Sequence, residues 1–431
     1  MRESHFLSSI LIEFINRKQS ISYLIFVSLS EEDSMIDRPA YMDWLERWCG
    51  KDVIKVVTGL RRCGKSTVLK LFRERLLKQG VSPERIIAIN FESLDENYPT
   101  EAKPLYDHIV SRLTPGGMNY VFLDEIQHVH EFERAADGLY VRDDVDLYLT
   151  GSNADLLSSE LATRLTGRYV ELRMLPLSFR EYRGTRPAAE SPEQSFNRYL
   201  LYGGLPYAAT LDDDQDIADY LGGVFNTILV KDIALRHPRI NTNAFNDVAS
   251  FLADNAGNIT SIKGMADAMK QTHRGISPTT VGEYITALCE NYLLFRADRY
   301  DIKGKAYLKT LEKYYLGDPG FRFWFLGKTG GDLGHRIENV VYLELLRRYR
   351  FVHIGKVGTT EVDFYTPDPN GDHYYQVSLS VMDEGTLTRE LRPLKTIGDN
   401  HPKTLLTMDR VGEGDHAGIK QVNILDWLLG E

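Results

Sequence analysis

Hydrophobic and polar positions change their rhythm more than once along this chain. From Asp52 onward, short runs rich in β-branched residues alternate with stretches of helical period: Val53-Ile-Lys-Val-Val-Thr58, Ile86-Ile-Ala-Ile-Asn-Phe91, Tyr120-Val-Phe-Leu123 and Val145-Asp-Leu-Tyr-Leu-Thr150. Strands that are apolar throughout, with helices between them, imply a parallel sheet covered on both faces. The first part of the chain is therefore expected to be α/β. The segment Pro187-Ala-Ala-Glu-Ser-Pro192 interrupts this pattern, and helical periodicity takes over through Asn197–Leu235.

Further along, the pattern predicts helices near Ala244–Asn255, Ser261–Lys270 and Pro278–Glu290, then a hairpin through Arg296–Lys309 that turns at Lys303-Gly304-Lys305. Ser277 suits an N-cap and Pro278 a first helical position. After Gly317-Asp-Pro-Gly320 the chain changes again, to a helix around Glu338–Arg348 and short strands at Phe351–Ile354, Glu361–Tyr365 and Tyr374–Leu379. No repeat or low-complexity tract appears. The expected divisions are residues 35–190, 191–315 and 316–431. Residues 1–34 are read as either a mis-assigned start or a loosely attached extension, because patterned sequence begins just after Met35.

Composition narrows the class. With 431 residues, 43% hydrophobic and 26% charged, the chain can bury full cores and reads as a soluble globular protein. The apolar stretch Phe6–Leu29 is interrupted by Glu13, Arg17, Lys18 and Gln19, so it does not read as one uncharged bilayer-spanning helix. Cys49, Cys63 and Cys289 lie far apart, which argues against a zinc site or a disulfide framework and fits a reducing cytoplasm. A net charge of −10 means that any nucleic-acid contact must come from a local basic surface.

The most specific chemistry is Gly59-Leu-Arg-Arg-Cys-Gly64-Lys65-Ser66, a GxxxxGK[ST] run between a predicted strand and the helix Thr67–Leu77. Such glycines let the backbone N–H groups of Arg61, Arg62, Cys63, Gly64, Lys65, Ser66 and Thr67 converge on phosphates, and the helix N-terminus adds its dipole. Lys65 is expected to reach β/γ oxygens, and Ser66 to ligate Mg²⁺. A second strand ends in Leu123-Asp124-Glu125. Asp124 is positioned to hold Mg²⁺ through water, and Glu125 to orient and deprotonate the attacking water. In Leu149-Thr150-Gly151-Ser152-Asn153, Ser152 or Asn153 is a candidate to hold that water, although a plain turn would use the same residues. Arg164 and Arg168 are candidates for the cation that stabilises transition-state charge, in cis or from a neighbour. ATP and Mg²⁺ are thus the expected ligands.

Gly59–Ser66, Leu123-Asp-Glu-Ile-Gln127, Thr150-Gly-Ser-Asn153, Leu165-Thr-Gly-Arg168 and Pro176-Leu-Ser-Phe179 together resemble the prokaryotic AAA-type ATPases whose C-terminal half is a domain of unknown function. Gly203-Gly-Leu-Pro206, Lys231-Asp-Ile233, Lys313-Tyr-Tyr315 and Asp318-Pro-Gly320 look like signatures of that half. The resemblance spans roughly Met35 to the end. It implies an additional-strand P-loop core, a winged-helix region and a small α/β module similar to the PD-(D/E)xK restriction endonucleases.

The third helix of the winged-helix candidate carries acids and no base, which is poor for reading a major groove. Basic residues lie beside it instead, at Lys263, Lys270 and Arg274, and along the hairpin at Arg296, Arg299, Lys303, Lys305 and Lys309. That distribution suits contact with a DNA backbone without strong sequence choice. In the nuclease-like module, Glu338 is in line with Val341, Tyr342 and Leu345, and Asp363 supplies a second acid, but Gln376 and Ser378 stand where the acid and the lysine belong. A neutral carboxamide is a weak ligand for a hard cation, so nuclease activity is not expected.

The leading expectation is an ATPase acting on or with DNA in repair, recombination or defence, with a homo-oligomer as a further partner state. The alternatives are a nucleotide-controlled switch that binds protein, and an ATP-dependent metal nuclease.

Overall fold

The computed structural model describes residues 36–93, 97–152, 167–271, 275–328, 333–369, 371–411 and 414–430. Met1–Pro39 and Ala40–Glu431 are separate compact units. Of the first, only residues 36–39 are described, so the expectation for residues 1–34 lies outside the described residues. The second unit holds both sheets and every candidate site.

Among the described residues, β1 (Ile54–Gly59), β2 (Ile86–Asn90), β3 (Asn119–Asp124), β4 (Val145–Thr150) and β5 (Tyr169–Met174) form an all-parallel sheet in the order β2-β3-β4-β1-β5. β4 lies between the P-loop strand β1 and the acid-bearing strand β3, which is the additional-strand arrangement expected from the sequence. The fold class is thus α/β, with a mixed second sheet toward the C-terminus.

All six residues of β1 are buried, as a central strand covered on both faces requires. On one face, α1 (Lys65–Lys78) turns Val68, Leu69, Phe72 and Leu76 inward. Phe72 packs against Tyr148 at 5.5 Å and Phe122 at 6.3 Å between ring centroids, and those two rings stack at 4.6 Å. The other face is a cluster of Ile54, Val56, Val121, Leu123 and Leu149 under helices at Ala102–Val110 and Phe132–Tyr140. Lys55, inside this otherwise apolar strand, forms a buried ion pair with Asp146, and Asp146 also accepts the Tyr148 hydroxyl and the Gly50 N–H, each at 2.8 Å.

Helices α2 (Pro192–Tyr202) and α3 (Asp214–Thr227) come next in the chain, and α3 continues as a π-helix over Ile228–Ala234. Helices at Thr242–Asp254, Ile262–Gln271 and Pro278–Glu290 then lead into the hairpin of β7 (Leu294–Asp301) and β8 (Ala306–Leu316), close to the order read from the sequence. The short strand β6 (Ile259–Thr260) pairs with β8.

The hairpin belongs to a nine-stranded sheet, among the described residues, of order β13-β14-β12-β11-β10-β9-β7-β8-β6. Its further strands are β9 (His353–Val357), β10 (Thr360–Thr366), β11 (His373–Ser378), β12 (Lys403–Thr407), β13 (Gly414–Asp415) and β14 (Ile419–Asn423). β7 runs parallel to β9, with Arg299 beside Ile354 and Asp301 beside Lys356. One sheet therefore takes strands from both sides of residue 315. Helix α4 (Leu333–Arg348) packs against it through Val341, Tyr342 and Leu345. No helix among the described residues is long and apolar enough to cross a membrane.

Candidate functional site: the phosphate loop and the carboxylates around it

The loop after β1 depends on glycine at both ends. Gly59 has φ 144°, and a Cβ there would stand 2.2 Å from the Met174 carbonyl oxygen. Gly64 caps α1 at φ 102°. Both values lie in the region that side chains disfavour. Between them the chain turns so that Lys65 folds back, its Nζ donating to the carbonyls of Gly59 at 3.0 Å and Leu60 at 3.4 Å. The ammonium is also 3.9 Å from Glu125 Oε1.

The structure brings Ser66, Asp124 and Glu125 to this loop. Because β3 and β1 are parallel with β4 between them, their carboxyl ends open on the same edge. Asp124 accepts hydrogen bonds from the hydroxyls of Thr150 and Ser66. Burial raises its carboxyl above the usual range, and those two hydroxyls act in the opposite direction. Glu125 is in the left-handed region at φ 54°. Its N–H donates to Thr150 Oγ1 at 2.8 Å, and its carboxylate accepts from Gln127 Nε2 at 2.5 Å. Ser152 is buried and accepts from Gln127 Nε2 at 3.4 Å. Asn153 and Arg164 lie outside the described residues.

A cavity of about 690 Å³ opens here, lined by Arg61, Arg62, Gly64, Lys65, Ser66, Thr67, Glu92 and Glu125, and closed on its other side by Pro206, Tyr207, Tyr220 and Thr227. Its chemistry suits a triphosphate: a loop of backbone donors and cations, a hydroxyl–carboxylate pair able to hold a divalent ion, and aromatic rings at the rim.

Several residues of this site are given no role by the sequence pattern. Thr150 stands there only as one letter of a motif, yet its hydroxyl touches both acids. Glu92, just beyond the end of β2, pairs with Arg61, and Asp232 lies 3.5 Å from the same guanidinium. Glu92, Glu125 and His128 also bring ligand atoms within 4.8 Å of one another. The position of Glu92 after a strand parallel to β3 is a signal that could have found it. The role of Asp232, more than a hundred residues away, is not legible without the fold.

Of the two ways open to Arg168, in cis or from a neighbour, the first does not hold. Its carbonyl accepts the N–H of Ile54, at the start of β1, whereas the phosphate loop leaves the far end of that strand. Five residues of strand separate the two, roughly 17 Å. The guanidinium pairs with Asp137 and lies 5.5 Å over the Tyr140 ring, so this chain's own Arg168 is not at its phosphate site.

Among the basic hairpin candidates, Arg296 faces Asp298 at 3.2 Å and Glu312 at 3.8 Å, while Arg299 is largely buried and 3.8 Å from Glu361. Each has an acidic partner within the fold, and of the two it is Arg296 whose side chain is exposed. Lys303 and Lys305 at the tip are exposed. Lys263 and Lys270 are exposed as well, the latter paired with Asp267 at 2.8 Å, and Arg274 lies outside the described residues.

In the C-terminal module, Glu338, Asp363 and Gln376 converge, but Ser378 turns away to the carbonyl of Ser380. A lysine does enter this centre, from an unexpected strand. Lys313 on β8 reaches Glu338 at 3.0 Å and Glu361 at 2.9 Å, and the Tyr315 hydroxyl donates to Glu338 at 2.6 Å. Burial would lower the Lys313 ammonium, but Glu338, Asp363 and Glu361 outweigh it and raise it. Asp363 is held far above the usual carboxylate range by burial and by Glu338. Gln376 donates to Glu390 at 3.0 Å.

Comparison with known proteins bears on the part of the chain that holds the parallel sheet. A family described as an AAA domain matches residues 51–183, and a domain of unknown function matches residues 193–332. An uncharacterized protein of Haemophilus influenzae is 34% identical over 401 residues, covering 92% of this chain and 99% of that protein. An uncharacterized protein of Methanocaldococcus jannaschii is 27% identical over 314 residues, covering 68% of this chain and 67% of that protein. Among solved structures, a Walker-type ATPase of Pyrococcus abyssi is similar at 15% identity and a TM-score of 0.47, over 68% of this chain and 96% of that one.

Proposed function

Since the chain belongs to the family of the Haemophilus influenzae protein and carries an AAA domain, we propose that it binds ATP with Mg²⁺ in the phosphate-loop cavity and hydrolyses it. The observation that carries this reading is the convergence of Lys65, Ser66 and Glu125 on one cavity, with Asp124 bonded to the Ser66 hydroxyl and Thr150 bonded to both acids.

Backbone N–H groups from Arg61 to Thr67 and the Lys65 ammonium hold the phosphates. Ser66 and Asp124 would hold Mg²⁺, which supplies charge neutralisation on the β- and γ-phosphate oxygens when bound. Glu125 accepts the proton of the attacking water, its carboxylate oriented by Gln127. Ser152, through Gln127, steadies that carboxylate. The rings of Tyr207 and Tyr220 close the cavity at its rim.

Action on DNA is the second part of the reading, and it rests on the exposed Lys303 and Lys305 at the hairpin tip. Two lysines suit weak backbone contact that falls with salt. The alternative, a nucleotide-controlled switch, is favoured by the cavity itself, because residues of both matched domains line it.

Phosphate release measured with and without single-stranded, duplex and branched DNA separates the two. Glu125→Gln is expected to lower turnover about 10²–10⁴-fold while nucleotide binding persists; undiminished turnover in that variant would overturn the assignment. Stimulation by one DNA form that is lost in Lys303→Ala/Lys305→Ala supports the DNA reading. Turnover indifferent to every form, with no DNA bound, supports the switch.

A further inference from the structure

The segment Lys231-Asp-Ile233 lies within the domain of unknown function, yet its carboxylate stands at the phosphate loop. Asp232 Oδ1 is 3.5 Å from Arg61 Nη1, and Arg61 Nη2 is bonded to Glu92. Arg61 and Asp232 are each only 7% exposed. Arg61 Nε and Asp232 Oδ2 are both buried with no hydrogen-bond partner among the described residues. Buried polar atoms almost always find partners, so two orphans on one ion pair, beside a cavity, mark a pair built to exchange partners.

The location says with what. Asp232 feels the charges of Glu125 and Lys65 as well as that of Arg61. Lys65 and Glu125 are the groups that meet the terminal phosphate in a P-loop site. Arg61, which lines the cavity beside them, carries the guanidinium that matches a phosphate best. The element bearing Asp232 also walls the cavity. It is the π-helix Ile228–Ala234, which continues the helix that supplies Tyr220 and Thr227. A π-helical turn is an uncommon conformation that recurs at functional sites.

We propose that Arg61 senses the terminal phosphate and that Asp232 is its resting partner. A nucleoside triphosphate draws the guanidinium from Asp232, a diphosphate leaves the pair intact, and residues 214–234 thereby register which nucleotide is bound. Asp232 is a positioning residue in this scheme, since it acts through Arg61. The inference rests on the nucleotide-binding reading above.

The test titrates a fluorescent ADP and a fluorescent non-hydrolysable ATP analogue into wild type, Asp232→Asn, Arg61→Gln and the double variant. Hydrogen exchange over residues 214–234 is followed alongside. Removing one of the two competing carboxylates leaves Arg61 held by Glu92 alone, so Asp232→Asn is expected to tighten the ATP analogue about fivefold or more and to leave ADP nearly unchanged. In the Arg61→Gln background the effect of Asp232→Asn disappears. Wild type shows different exchange over residues 214–234 with the two nucleotides, Asp232→Asn shows none, and Asp232→Glu restores the difference.

Equal changes for both nucleotides, or an effect of Asp232→Asn that persists without Arg61, would overturn the sensor. Failure of wild type to bind either nucleotide would instead overturn the ATPase reading itself. The apo melting temperatures of the variants show whether each is folded.

Discussion

Asp318 accepts the backbone N–H of Gly204 at 2.7 Å on one carboxylate oxygen and that of Gly320 at 2.8 Å on the other. This clasp closes Gly203-Gly-Leu-Pro206, whose Pro206 lines the nucleotide cavity, onto a segment more than a hundred residues downstream. The carboxyl is fully buried, which raises it to about 6, against the opposing pull of the two N–H donors.

Stability should depend on pH through this group, with a sign set by that elevation. An unfolded chain releases this proton near pH ~3.9, whereas the folded one holds it to about 6. The group's contribution is therefore fully present below pH ~3.9 and is lost as pH rises through about 6, a change of about 3 kcal/mol. Urea unfolding of wild type and Asp318→Asn between pH 4 and pH 7 should show wild type losing stability relative to the variant. A constant difference would refute the assignment.

Gly203→Ala should unfold this clasp. At φ 80°, a Cβ on residue 203 would fall 1.7 Å from Asp318 Oδ1 and 2.6 Å from the Gly320 nitrogen. Backbone and a buried carboxylate have nowhere to go, and a loss of more than about 3 kcal/mol is expected. Gly398→Ala, where an added Cβ meets nothing within 4 Å, serves as the control and should change the unfolding midpoint little.

Thr150→Val removes the hydroxyl that accepts from Glu125 N–H and donates to Asp124. Neither acid is removed, so nucleotide binding should persist while turnover falls roughly 10–100-fold, the usual size for losing a supporting hydrogen bond around a metal site. Parallel measurement of ATP affinity and phosphate release tests this. Unchanged turnover would show that Thr150 is only structural.

Lys313→Met should be costly for a different reason. The ammonium stands between Glu338 and Glu361, and its loss leaves those carboxylates facing each other and Asp363 inside the fold. Breaking a buried pair from one side costs about 3–5 kcal/mol. Adding Glu361→Gln to Lys313→Met should return part of that loss in denaturant unfolding. No recovery would mean that the three groups are not coupled.

Legibility in the sequence tracks physical specificity. The phosphate loop is readable because its glycines, lysine and hydroxyl sit at a spacing that packing does not demand, and β1 to β4 because their runs are mostly apolar, that of β2 included although it is a sheet edge. β5 is hidden because Tyr169-Val-Glu-Leu-Arg-Met174 is only partly buried and carries Glu171 and the exposed Arg173 within the run. Arg168 misleads as an in-cis candidate because nearness in sequence to a loop does not say at which end of a parallel strand that loop lies. Lys313 is missed at the Glu338–Asp363 centre because the sequence pattern ends the hairpin at Lys309, seven residues short of where β8 ends. Thr150 and Asp232 stand in motifs that give them no role, and Glu92 stands in none; all three acquire meaning only once the fold brings them to the phosphate loop.

The parallel seam between β7 and β9 carries a mechanical consequence. The hairpin is not an appendage on a flexible tether, because its strands are bonded into the same sheet as β10 to β14. A pull on Lys303 or Lys305 along the strand direction loads the hydrogen bonds joining Arg299, Tyr300 and Asp301 to the β9 backbone in shear, so that they resist together rather than unzip one at a time. The tip of the hairpin thus works as the end of a stiff lever whose fulcrum is the whole C-terminal sheet.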